Sequence, residues 1–101
     1  MAKFVLAYQG GTMAATEEEQ AATMATWMQW FGDIGSAVTD MGNPFGASTA
    51  VTSGGRAEAT AGLTGYTVVS AENLEAAADL AKGCPVLGAG GSVEVYEALE
   101  M

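Results

Sequence analysis

Phe4, Leu6 and Tyr8 alternate with Val5 and Ala7 between Lys3 and Gln9, so a strand over these residues has no polar face. A strand that is apolar on both sides needs cover on both sides. That is a heavy demand on a chain of 101 residues, which has room for one domain, residues 1–101, and one small core. Half of the chain is apolar and 15% is charged, against roughly 25% charged in an average soluble domain. This balance excludes intrinsic disorder. It also leaves more apolar surface than a core of this size absorbs, which points to self-association.

The rest of the pattern is read in chain order. Gly10-Gly11-Thr12 stops the first strand. Thr16-Glu17-Glu18-Glu19 is a capping box whose acids suit the positive end of a helix dipole. Met24, Trp27, Met28, Phe31, Ile34 and Val38 then recur at helical spacing as one apolar stripe, with Trp30 at its edge. Gly32 and Gly35 weaken the last turns. Asp40 to Gly46 is turn chemistry, Ala47–Thr52 reads as a strand, and Ser53–Thr64 reads as a mobile hairpin loop carrying Arg56 and Glu58. Gly65–Ser70 is a strand by β propensity. Ser70 is placed to cap a second helix, Ala71–Lys82, with Leu74, Ala77, Ala78 and Ala81 inward; Gly83 and Pro85 end it. Ser92–Leu99 is the last strand. Strand, helix, strand, strand, helix, strand predicts an α+β domain, a ferredoxin-like βαββαβ unit with a four-stranded antiparallel sheet and both helices on one face. The other face is left bare, and a second copy of the chain, sheet against sheet, is the expected cover.

Composition removes whole classes of function. Twelve acidic residues stand against Lys3, Arg56 and Lys82, for a formal charge of −9. Three scattered cations cannot displace counterions from phosphates, so no nucleic acid is expected, and an acidic surface is repelled by anionic membranes. No stretch approaches the roughly 18 apolar residues of a spanning helix, and Phe4–Ala7 is too short for the apolar region of a signal peptide. Cys84 is alone, so no internal disulfide forms and a cytoplasmic location is expected. There is no histidine. The default general base and the commonest metal ligand are both missing, and neither a metal nor a cofactor is expected.

Several ordered segments carry a family likeness: Lys3-Phe4-Val5-Leu6-Ala7-Tyr8, then Trp27-Met28-Gln29-Trp30 with Asp40-Met41-Gly42-Asn43-Pro44-Phe45. They continue with Gly65-Tyr66 before Ser70-Ala71-Glu72, Leu74-Glu75-Ala76-Ala77, Gly83-Cys84-Pro85 and Gly91-Ser92-Val93-Glu94-Val95-Tyr96-Glu97. Over nearly its whole length the chain resembles YCII-related proteins. The resemblance implies a dimeric α+β barrel of two ferredoxin-like subunits whose sheets face each other. Some members carry a helix histidine paired with an aspartate; this chain has no histidine, and that dyad does not carry over. Another branch is named for an Asp-Gly-Pro-Phe string, where this chain reads Ser53-Gly54-Gly55-Arg56. Similar barrels include isomerases, dehydrochlorinases, monooxygenases and binding proteins, so the fold does not settle the function.

Tyr8, Trp27, Trp30, Asp40 and Asn43 are the candidate site residues, expected to converge at one end of the subunit. Aromatic walls with one carboxylate and one amide describe a small-molecule pocket. Asp40 is the candidate general base, if apolar surroundings raise its pKa, and otherwise caps the Gly42-Asn43-Pro44 turn. Cys84 follows a helix end and reads as a buried structural thiol. Asp33 reads as a solvated flank residue, and Arg56 as exposed. Met24 and Met28 read as gap-fillers in the core stripe. The expectation is a small homodimeric binding or accessory protein with a pocket near the dimer interface. The alternative is a cofactor-independent isomerase or lyase acting on a small apolar or aromatic substrate, with Asp40 or Tyr8 moving the proton. A structural self-assembling domain would have no pocket.

Overall fold

The computed structural model describes residues 1–10 and 16–100. Of the Gly10-Gly11-Thr12 stop, Gly11 and Thr12 lie outside the described residues. The elements are β1 (Ala2–Gln9), α1 (Glu17–Ile34), a 3-10 turn (Gly35–Ala37), β2 (Val38–Asp40), β3 (Ala50–Thr52), β4 (Gly55–Ala57), β5 (Leu63–Ala71), α2 (Leu74–Ala81), α3 (Pro85–Gly88) and β6 (Ser92–Ala98). β2, β5, β1 and β6 form one sheet in that order, antiparallel at every pairing. With both longer helices on one face, the architecture is consistent with a ferredoxin-like fold.

Register decides which side chains meet. Phe4 lies opposite Val69, and Leu6 opposite Thr67. These side chains point to the helices and are buried with Trp30, Ala77, Ala81, Cys84 and Val86. A one-residue shift sends the alternate set to the other face. There Val5 pairs with Val68 and Ala7 with Tyr66, flanked on β6 by Tyr96 and Glu94. No helix covers this face, and Val5, Val68 and Tyr66 are half-buried by their neighbours alone. The two-sided apolar character of β1 therefore has one side in the core and one side on the bare face.

α1 starts as its capping box predicts: the Thr16 hydroxyl accepts the Glu19 N–H at 3.1 Å. Its stripe is rotated from the expected one. Met24 and Met28 are exposed rather than packed in the core, whereas Trp30 is 4% exposed. Trp30 reaches across to α2, where its indole N–H donates to the Leu80 carbonyl at 3.1 Å. Ile34, Phe31 and Trp27 pack at the margin of the core.

Four further expectations are corrected. The second strand of the sheet is Val38–Asp40, not Ala47–Thr52. Gly35, at φ 53°, turns the chain directly into the sheet, where Val38 meets Val69. The Ala50–Thr52 segment has β propensity but nothing large to bury, and pairs with Gly55–Ala57 as a separate two-stranded hairpin. The loop expected over Ser53–Thr64 therefore contains β4. β5 runs past Ser70 to Ala71, because β1 offers partners as far as Ala2. The cap of α2 is accordingly Asn73, not Ser70, and its side chain accepts the Ala76 N–H at 2.8 Å. Leu74 is exposed, and Leu80 packs on the core in its place. Pro85 does stop α2, and it also opens the single turn of α3.

The molecule is a slab, 44 × 40 × 19 Å, one sheet and one helix layer thick. Its accessible surface is 6,983 Å², against about 5,300 Å² expected for a folded monomer of this mass.

Candidate functional site

α1 does not lie flat on the sheet. Between its middle turns and the β2–β5 edge is a cleft of about 610 Å³, within the range of small-molecule sites. Met24, Trp27, Met28 and Phe31 form the helix wall, Met41, Asn43 and Pro44 the opposite rim, and Tyr8 with Thr67 the floor.

The rim depends on one glycine. Gly42 has φ +74°, and a Cβ there would sit 1.8 Å from the Tyr66 carbonyl oxygen. No other residue fits so close to β5 in that left-handed conformation. The Asp40 carboxylate accepts the Gly42 N–H at 2.9 Å, an Asx turn that sets the bend. Past it the chain returns to β5: Tyr66 N–H donates to Asn43 at 3.3 Å and Phe45 N–H to Thr64 at 2.9 Å. Phe45 then stacks on Tyr66, with ring centroids 5.7 Å apart.

The floor is a one-way chain of hydroxyls. Thr67 donates to the Met41 carbonyl at 2.9 Å. A carbonyl only accepts, so the Thr67 proton is committed, and its oxygen accepts from the Tyr8 hydroxyl at 2.5 Å. Burial drives the Tyr8 pKa well above the ordinary phenol range; the Thr67 bond pulls back and the neighbouring Cys84 adds to the rise. Burial also raises the Cys84 thiol, against the opposing effects of its hydrogen bonds to Val86 and Tyr8. Trp27 stands edge-on to Tyr8 at 5.2 Å and to Trp30 at 5.8 Å. Such edge-to-face pairs fix ring orientation beyond simple burial.

The structure thus brings Tyr8, Trp27 and Asn43 to one cleft. Trp30 stands behind Trp27 in the core and does not line it, and Asp40 faces solvent with its carboxylate on the turn. Of the two candidate tryptophans only Trp27 lines the cleft; Trp30, at the edge of the stripe, is core. Sequence reasoning missed Thr67 and the three methionines of the walls. The signal for Thr67 was present, as a polar residue at an inward position of an otherwise apolar strand. Asp33 sits on the helix flank and accepts from Gln29 at 3.1 Å. Arg56 is exposed on β4. Among the described residues no three His, Cys, Asp or Glu side chains come together as metal ligands, and no helix is long and apolar enough to cross a membrane.

No curated protein matches the sequence. The family model of the YCII-related domain matches residues 1–101, the entire chain. A match over every element that builds the sheet and the cleft places the protein: it belongs to the YCII-related family.

Proposed function

We propose that the protein is a homodimeric cytoplasmic binding or accessory protein that holds a small apolar molecule in the cleft between α1 and the β2–β5 edge. The observation that carries this reading is the cleft itself: about 610 Å³, walled by methionines and aromatic rings and floored by two hydroxyls. The dimer is supported by the bare sheet face. Val5, Tyr66 and Val68 form a half-buried apolar strip on a sheet face that no described helix covers, with Phe45 stacked on the Tyr66 ring. The excess of accessible surface over a typical monomer, about 1,700 Å² for one chain, is more than the roughly 800 Å² that each partner buries in a standard interface. Tyr66 belongs both to that strip and to the cleft lining, so two sheets packed face to face bring the cleft mouth beside the interface.

An isomerase or lyase ranks second. Its proton carrier would be Tyr8, since Asp40 is exposed and engaged with Gly42. A phenol whose proton is held more tightly than usual, and already donated to Thr67, is a poor base. The test is a screen of small apolar compounds by heteronuclear NMR, following the Trp27 indole, with sedimentation in parallel. Binding that moves the Trp27 signal in a dimeric protein is the expected result. Ligands that shift only residues outside the cleft, or a monomer at micromolar concentration, would refute the corresponding half of the proposal.

A further inference from the structure

We infer that the cleft selects uncharged ligands: an apolar molecule, with or without a neutral polar group, and not a carboxylate or phosphate ester. This rests on the pocket reading above and adds the chemistry of the occupant. None of the residues that line the cleft is an Asp, Glu, Lys or Arg. The three cations of the chain are all elsewhere. Lys3 is opposite Ser70 and Ala98 on the bare face, Arg56 lies on the separate hairpin, and Lys82 is paired with Asp79 at 2.9 Å. An anion entering the cleft would leave water without a cationic partner, in a protein of formal charge −9. An unpaired buried charge costs several kcal/mol, far more than an unpaired polar group. The N-terminus of α1 offers no relief, because Thr16 caps it and Glu17, Glu18 and Glu19 occupy its first turn.

The hydroxyls of the floor are bonded to one another, and the neutral side chains of Gln20, Thr23 and Asn43 are polar groups on the walls and rim. Tyr8 gives its proton to Thr67, and Thr67 gives its own to Met41. Cys84 also bonds the buried Tyr8 hydroxyl, so the floor is satisfied within the protein and supplies no charge to a ligand. The walls set the shape: Trp27 and Phe31 present ring surface, and Met24, Met28 and Met41 supply adaptable thioether contact.

Three probes of one shape test this at pH 7.5 by titration calorimetry and the Trp27 indole signal: 2-naphthalenemethanol, 2-naphthoate and 2-methylnaphthalene. The alcohol is expected to bind and move Trp27, and the carboxylate to bind at least tenfold more weakly. The methyl compound, uncharged as well, is expected to bind and move Trp27 too. Met28→Lys places a cation on a wall position that is already half exposed, and it should strengthen carboxylate binding at least tenfold. A carboxylate that binds the native protein as tightly as the alcohol overturns the charge selection, as does a Met28→Lys variant that leaves carboxylate affinity unchanged. A methyl compound that binds no tighter than the carboxylate likewise overturns the charge selection. If none of the three binds while Trp27 stays still, the pocket reading itself falls, and the inference with it.

Discussion

Thr67 is fully buried, yet it is the residue that polarises the cleft floor, and its two neighbours there respond to pH. Burial raises both Tyr8 and Cys84. Each is neutral when protonated, so below the unfolded thiol value of about 8.5 neither affects stability. Above it the unfolded chain releases the Cys84 proton while the folded chain retains it, and stability falls with rising pH. Tyr8 adds to the fall above about pH 10. Melting temperature followed from pH 7 to 11 should therefore be flat at first and then decline. Cys84→Ala should remove the first part of the decline, which approaches about 1.4 kcal/mol per pH unit where one group alone differs in protonation. The tryptophans give a second prediction. Trp30→Ala removes a core ring and the bond to Leu80, and should cost about 3–5 kcal/mol by chemical denaturation. Trp27→Ala should cost about 1–2 kcal/mol and instead abolish binding of the neutral probe in calorimetry. The sequence pattern makes both of them pocket candidates and does not tell them apart. Helical spacing locates a stripe, but the angle at which α1 stands off the sheet decides which part of the stripe faces the core.

The elements differ in how far pattern alone reveals them. β1, α1, β5 and β6 announce themselves by alternation, capping and β-branched content, because each has large apolar side chains to bury. β2 does not: it has three residues, and it is a strand because Gly35 and Gly42 bend the chain onto the edge of β5. The Asx turn at Asp40 was legible as the alternative to catalysis, but the closeness of Gly42 to Tyr66 is a tertiary fact with no local signature. It predicts that Gly42→Ala loses at least about 2 kcal/mol, from left-handed backbone strain and the collision with a carbonyl. Gly46→Ala, which meets nothing within 4 Å, should change stability by less than about 0.5 kcal/mol. Paired urea titrations of the two variants check this. The β3–β4 hairpin has almost no buried residue of its own, and two-stranded hairpins alone are marginal in water. Its amides should exchange with solvent well before those of β1 and β5.

At the scale of the whole molecule, one face of a slab 19 Å thick has no described helix over it. A charge placed there tests the proposed dimer without touching the core. Val68→Glu should keep the native fold by circular dichroism and shift the protein from dimer to monomer in sedimentation equilibrium. An unchanged dimer would show that another surface makes the contact. The central strand of that sheet also has a consequence for how the chain comes together. β1 leads the domain, and both of its neighbours arrive late: Ala2 pairs with Ala71 and Lys3 with Ala98. During synthesis the most apolar strand leaves the ribosome early and waits, both edges unpaired, until nearly the whole domain has been made. Such long-range closure slows folding and exposes an aggregation-prone edge meanwhile. The flanking charge of Lys3 and the acidic first turn of α1 are the solubilising groups nearest to that waiting strand.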